Sequence, residues 1–178
     1  MTVESLISGL LEELGKDPDS EGLKDTPRRV AAFWREWLDH EPPKLTTFDS
    51  QGFHEMIIQT GIPFYSMCEH HMLPFFGVAT VAYIPVDRII GLSKITRIVQ
   101  HHARDLTTQE YLTHKICEEL ETQLAPQGIA VSLAGRHLCM EMRGVKSPAV
   151  TVTNFLSGSF MHDQSTRAEF LKYVKTEL

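Results

Sequence analysis

Cys68, Glu69, His70 and His71 occupy four consecutive positions in the stretch "SMCEHHMLPF". A thiol, a carboxylate and two imidazoles at this density suit a metal site or a reactive thiol. Cys68 and His71 are three apart, a spacing that lets two side chains close on one ion. A second cluster, "RHLCM", holds His137 and Cys139. These two are separated by one residue within a predicted strand, so both point to one face. The five donors Cys68, His70, His71, His137 and Cys139 together suit Zn²⁺, which favours thiolate and imidazole. One catalytic zinc needs three protein ligands and a water, so two histidines would remain for proton transfer. The plain alternative is a buried core thiol at Cys139 and histidines on a solvated loop. Cys117 sits beside Ile116 on a predicted helix with no donor near it in sequence, and reads as core.

Two other stretches could hold a ligand. "GLSKITR" puts Ser93 at a helix start with Lys94 and Arg97 in its first turn. Cations at a helix N-terminus oppose its dipole, and a bound phosphate would reconcile them. A solvated basic patch is the alternative. Arg143, four residues past Cys139 and on the same strand face by parity, is a further candidate cation. "TTQEYL" places Gln109 and Glu110 near the start of a long helix. There an acid is either simple end-capping or a partner for a base: a carboxylate matches the N1–H and N2–H₂ donors of guanine, and a Gln amide can donate to the guanine oxygen.

The elements that position these residues follow from periodicity. Val3, Leu6, Ile7, Leu10, Leu11 and Leu14 have helical spacing, ended by Gly15. "DTPRRVAAFWREWLDH" starts a second helix, with Thr26 as cap and Pro27 at its first position. Residues 1–45 therefore read as an N-terminal helical arm ahead of a main domain over 46–178. "EMIIQTGIPFYSMC" and "GVATVAYIP" are strands with turns expected at Gly61 and Gly77. Two helices follow, "LSKITRIVQHHARD" and "TTQEYLTHKICEELETQLAPQG". "IAVSLAGRHLCMEMRGV" and "AVTVTNFLSGSF" return to strand. A last helix starts at "STRAEFLKYV", with Thr166 and Glu169 as a capping box. This order is α+β rather than a βαβ alternation.

Bulk composition narrows the function. The 178 residues are 42% hydrophobic and 22% charged, as in an ordinary globular protein. A net charge of −6 argues against nucleic acid as a partner. No apolar run approaches a membrane span, so no membrane is expected, and the acidic start does not resemble a signal peptide. Three cysteines cannot all pair within one chain, which fits a reducing, cytoplasmic location.

Taken together, "GLKDTPRRVA", "IPFYSMCEHHMLPFFG", "VAYIP", "GLSKITRIVQ", "TTQEYLT", "HLCMEMRGV" and "TVTNFLSGSF" resemble the GTP cyclohydrolase I family along nearly the whole chain. The resemblance implies a tunnelling fold: an antiparallel sheet with helix pairs, assembled into a ring. It implies a homo-oligomer, a decamer of two stacked pentamers with active sites between subunits. Cys68, His71 and Cys139 would bind Zn²⁺. His70 and His137 would transfer protons. Ser93, Lys94, Arg97 and Arg143 would hold the triphosphate of GTP, with Ser93 beside the chemistry, and Gln109 and Glu110 would hold guanine. The implied reaction opens the guanine imidazole ring, releases formate and recloses to 7,8-dihydroneopterin triphosphate. The chain departs from the family at Tyr111, where Arg is usual, and at Ala32, where Lys is common. Rival readings are a relative acting on another purine nucleotide or stopping earlier, and a non-catalytic zinc-stabilised nucleotide-binding protein.

Overall fold

A computed structural model describes residues 1–176. The chain divides into two compact units, Met1–Glu41 and Pro42–Leu178. The first holds α1 (Val3–Glu13) and α2 (Thr26–Leu38). Thr2 and Ser5 cap α1 reciprocally, each side chain meeting the other's backbone N–H. Arg35 of α2 pairs with Glu4 of α1 at 3.4 Å. Leu6, Leu10 and Leu14 leave an apolar stripe exposed along α1. The cap expected at Thr26 falls one residue earlier: Asp25 precedes the helix in helical backbone geometry, so its side chain makes no capping bond.

The second unit is α+β. Its strands are β1 (Thr47–Asp49), β2 (Ile57–Cys68), β3 (Pro74–Ile84), β4 (Arg88–Ile90), β5 (Leu106–Thr107), β6 (Gly128–His137) and β7 (Val150–Leu156). Five of them form one sheet in the order β5-β2-β3-β6-β7, and β1 pairs with β4. The β2, β3, β6 and β7 ladders are antiparallel, while short β5 runs parallel to β2. Helices α3 (Leu92–Ala103) and α4 (Gln109–Leu124) cover one sheet face. Their inward residues Ile95, Ile98, Val99, Leu112, Ile116 and Leu120 meet Phe75, Val81, Tyr83, Val131 and Leu133 in the main core. Alternate strand residues Ala82 and Ala130 turn to the other face, under Phe160 and Phe170. Those two aromatics come from α6 (Ser159–His162) and α7 (Gln164–Leu171). Burial on both faces explains why β6 reads as a continuous apolar run.

Several local expectations are corrected. Gly61 and Gly77 are not turns. Gly61 has φ +68 at an irregularity inside β2, where the β2–β3 register shifts between Gln59 and Ile62. Gly77 lies within β3, where a Cβ would overlap the Ala134 carbonyl. The cap of α7 is Asp163, whose carboxylate accepts from the Thr166 backbone N–H at 2.7 Å; Thr166 lies inside the helix. The strand expected through "RHLCMEMRGV" ends at His137, and a helical turn, α5 (Leu138–Glu141), follows it.

Candidate metal centre and its pocket

Three pieces of chain meet at one end of the sheet. The first is the end of β2. The Cys68 carbonyl accepts from the His71 and Met72 N–H groups at 3.3 and 2.8 Å, and Met72 takes φ +53. This tight reversal folds His71 back over Cys68. The second piece is the β5–α4 junction. Cys68 is the register partner of Thr107, so the parallel pairing delivers the start of α4 beside the β2 turn. Thr108 caps α4 by accepting from the Tyr111 N–H, which sets Gln109 and Glu110 in its first turn. The third piece is the end of β6. His137 is the register partner of Phe75 on β3, and Cys139 follows on α5.

Cys68, His71 and Cys139 each offer a ligand atom within 4.8 Å of the other two. Cys68 Sγ lies 3.8 Å from His71 Nδ1 and 3.7 Å from His70 Nδ1. The Cys139 thiol is pushed up by burial first and by the adjacent Cys68 sulfur second. Two sulfurs packed this closely disfavour negative charge on either, and a bound dication reverses that preference. Two sulfurs and one imidazole nitrogen form a donor set that fits Zn²⁺ with one position left for water. His137 lies at the end of β6, as expected of a strand residue, but Cys139 reaches the pocket by a different route. Cys139 is carried by the turn of α5, so the argument from strand parity does not apply to it or to Arg143.

The three donors border a cavity of about 210 Å³, which Glu110, His70 and His137 also line. His70 is exposed, and its Nε2 lies 3.7 Å from the Glu69 carboxylate. His137 stacks on Phe75, with ring centroids 4.8 Å apart and planes within 2°. Burial pushes the His137 imidazole down in pKa, and the Glu110 carboxylate opposes that shift. Gln109 also lines the cavity, with its side-chain amide bonded inside the chain. Its side-chain nitrogen already has acceptors in the Leu133 and Thr151 carbonyls and the Thr153 hydroxyl. Both amide hydrogens are thus engaged inside the chain, and neither is left for a guanine oxygen. Ser93, Lys94, Arg97 and Arg143 are not among the residues lining the cavity. Arg143 is near enough for its charge to favour the Cys139 thiolate, as the smallest of the influences on that thiol.

Sequence reasoning missed two supports. One is Phe75 behind His137, concealed because β3 and β6 are far apart in the chain. The other is Arg136, whose Nε and Nη2 donate to the two Glu141 oxygens at 2.7 and 2.6 Å. The charged spacing in "RHLCME" is its only sequence signal.

The motifs carrying these residues run through the whole chain, and so does the match to known proteins. A family model described as GTP cyclohydrolase I matches residues 3–175. The chain belongs to the GTP cyclohydrolase I family. It is 47% identical over 176 residues to GTP cyclohydrolase 1 of Sulfurihydrogenibium sp. (strain YO3AOP1), covering 98% of this chain and 94% of that relative. It is 46% identical over 180 residues to GTP cyclohydrolase 1 of Aquifex aeolicus (strain VF5), covering 97% and 95%. A third relative, GTP cyclohydrolase 1 of Deinococcus radiodurans, is 46% identical over 182 residues, covering 99% and 84%. The cyclohydrolase family match therefore takes in both compact units. No helix among the described residues is long and apolar enough to cross a membrane.

Proposed function

We propose that this chain is a zinc-dependent GTP cyclohydrolase I that opens the imidazole ring of GTP, releases C8 as formate and recloses to 7,8-dihydroneopterin triphosphate. The observation that carries the reading is the convergence of Cys68, His71 and Cys139 with Glu110 and His137 at one cavity. Zn²⁺ held by the two thiolates and the imidazole would supply Lewis-acid activation of water. Glu110 orients the base by accepting from guanine N1–H and N2–H₂, a match of two acceptors to two adjacent donors. His137 delivers a proton to N7 as the ring opens, and exposed His70 moves protons between the site and solvent. Phe75 holds the His137 ring in plane.

Ser93, Lys94, Arg97 and Arg143 hold the triphosphate. Sites completed between neighbouring subunits account for Ser93, Lys94 and Arg97 lying outside the cavity of a single chain. The assembly is a ring-forming homo-oligomer, a decamer of two pentamers, with residues 46–178 as catalytic domain and 1–45 as a helical arm. Exposed Leu6, Leu10 and Leu14 on α1 and exposed Tyr65 and Val152 on the sheet support burial against other copies. The location is cytoplasmic. The deciding experiment incubates purified protein with GTP and measures formate and zinc together. Formate release with about one zinc per chain is expected, from the three-ligand site, and both should vanish in Cys139→Ala. A zinc-bound protein that binds GTP without releasing formate would favour a non-catalytic role.

A further inference from the structure

Gln109 is 1% exposed, and each polar atom of its side chain has a partner inside the chain. Nε2 lies 3.1 Å from the Leu133 carbonyl, 3.0 Å from the Thr151 carbonyl and 3.1 Å from Thr153 Oγ1. Backbone carbonyls only accept, so the end of the amide that faces β6 and β7 must be the NH₂. The flipped orientation would set an oxygen against two oxygens. Oε1 is therefore the end that faces His137, 2.9 Å from its Nε2. An amide oxygen also only accepts, so His137 Nε2 must carry a hydrogen. In the neutral ring the lone pair is then on Nδ1.

We infer that Gln109 is a positioning residue for His137, holding its imidazole as the Nε2–H tautomer so that Nδ1 is the nitrogen that exchanges protons with the substrate. The inference rests on the GTP reaction proposed above. Its proton bookkeeping closes without a ring flip. With Nε2–H committed to Gln109, Nδ1 is the ring nitrogen left to pass a proton to N7 of the base. Nε2–H donates to Gln109 Oε1 throughout, because an amide oxygen accepts from the ring N–H in either charge state, more strongly from the cation. Phe75 fixes the plane of the ring and Gln109 fixes its rotation within that plane.

The amide is itself held from both sides. Thr113 Oγ1 lies 2.7 Å from Thr153 Oγ1 and 2.7 Å from the Gln109 carbonyl, which ties the acceptor on β7 to the first turn of α4. On β6, Leu133, Gly135 and His137 alternate onto one strand face. Leu133 supplies an acceptor, His137 the imidazole and Gly135 the gap between them. A Cβ at Gly135 would lie 2.5 Å from Gln109 Oε1 and 3.4 Å from its Cδ. Gly135 thus admits the amide without lining the cavity, and it offers a way to displace Gln109 without touching substrate.

The test compares wild type, Gln109→Leu, Gly135→Ala and the double variant for zinc content and for steady-state formate release from GTP. A positioned general acid–base contributes on the order of 10²–10⁴ in rate, so losing its orientation should lower kcat about ten- to a hundredfold in each single variant. KM and zinc content should stay near wild type. The double variant should be no slower than Gln109→Leu alone, because Gly135 acts through Gln109. A raised KM with kcat intact would instead mean that Gln109 contacts guanine, and additive losses would mean that Gly135 acts through packing. A measurement on unaltered protein guards against variants that do not fold. Solid-state ¹⁵N spectra of histidine-labelled wild type, with His137 assigned by difference against His137→Gln, should show a protonated Nε2 and an unprotonated Nδ1. The opposite tautomer overturns the inference. If wild type releases no formate, the functional reading fails, while the spectrum still decides the tautomer.

Discussion

Glu141→Gln should weaken zinc binding without changing a ligand. Arg136 is fixed within the sheet by pairing with Phe76 and Val150, and its guanidinium grips both Glu141 oxygens. That grip closes the far end of the α5 turn, whose own backbone supports are few: the Met142 N–H to the Leu138 carbonyl at 3.1 Å and the Ser147 N–H to the Met140 carbonyl at 3.0 Å. Cys139 sits on this turn. Glutamine has almost the same shape, but one oxygen becomes an NH₂ facing a guanidinium N–H, donor against donor. One of the two contacts is lost and the other loses its charge. A zinc–sulfur bond needs about 2.3 Å, so a wandering Cys139 sulfur is a poor ligand. Groups that orient metal ligands typically account for about 10–100-fold in affinity, and a loss in that range is expected here. Competition with a chromogenic chelator measures it directly. The control is Glu118→Gln, which breaks the exposed pair with Lys115 within α4, outside the cavity lining, and should leave zinc affinity alone. Wild-type zinc affinity in Glu141→Gln would refute the reasoning, since the turn would then hold Cys139 without its clamp.

Cys117 is fully buried, and burial first and Glu121 second push its thiol up to about 12. Its stabilising contribution is complete below the ordinary thiol pKa of 9.0 and is lost as pH rises from there through about 12. Cys117→Val should flatten that alkaline decline in thermal melts and leave zinc content and formate release intact. Glu110→Gln keeps the shape of the side chain but sets an NH₂ against a guanine N–H. Sites built to pair with a polar edge discriminate by up to roughly 10⁴, so a fall in kcat/KM of at least about a hundredfold is expected, with zinc retained. Normal kinetics in that variant would remove Glu110 from base recognition.

The core helices were legible because their apolar periodicity survives in the packing: Leu112, Ile116, Leu120 and Leu124 are all buried, as their spacing requires. Five candidate donors were legible as residue types because thiols and imidazoles stand out when clustered, and the choice of Cys68, His71 and Cys139 among them came from the family resemblance. How Cys139 arrives was not legible. A period-two argument assumes that the strand continues, and nothing in "HLCME" marks the point where β6 gives way to a helical turn. Gly61 and Gly77 carried the composition of turns. One serves an irregularity in β2, and the other serves the close approach of two strands, a requirement set by a neighbour far along the chain. Gln109 shows the same limit most clearly. A polar residue opening a helix looks like a ligand contact until the acceptors on β6 and β7 are seen beneath it.

The metal donors have a consequence for how the chain holds together. Cys68 ends β2 and Cys139 follows β6, so everything from β3 to the end of β6 lies between them in sequence. An ion bound to both is a cross-link that shuts this long loop, as a disulfide would, but one that forms and dissolves with free zinc concentration. The order in which the polypeptide matures follows from this. The paired ends of β2 and β6 must already stand for these donors to meet, so an ion bound there would arrive last and reward a finished scaffold by mass action. Starved of zinc, the protein should keep its core helices while the ends of β2 and β6 and the first turn of α4 exchange their amide hydrogens faster. The site would then loosen as a single patch, from the end of the sheet inward.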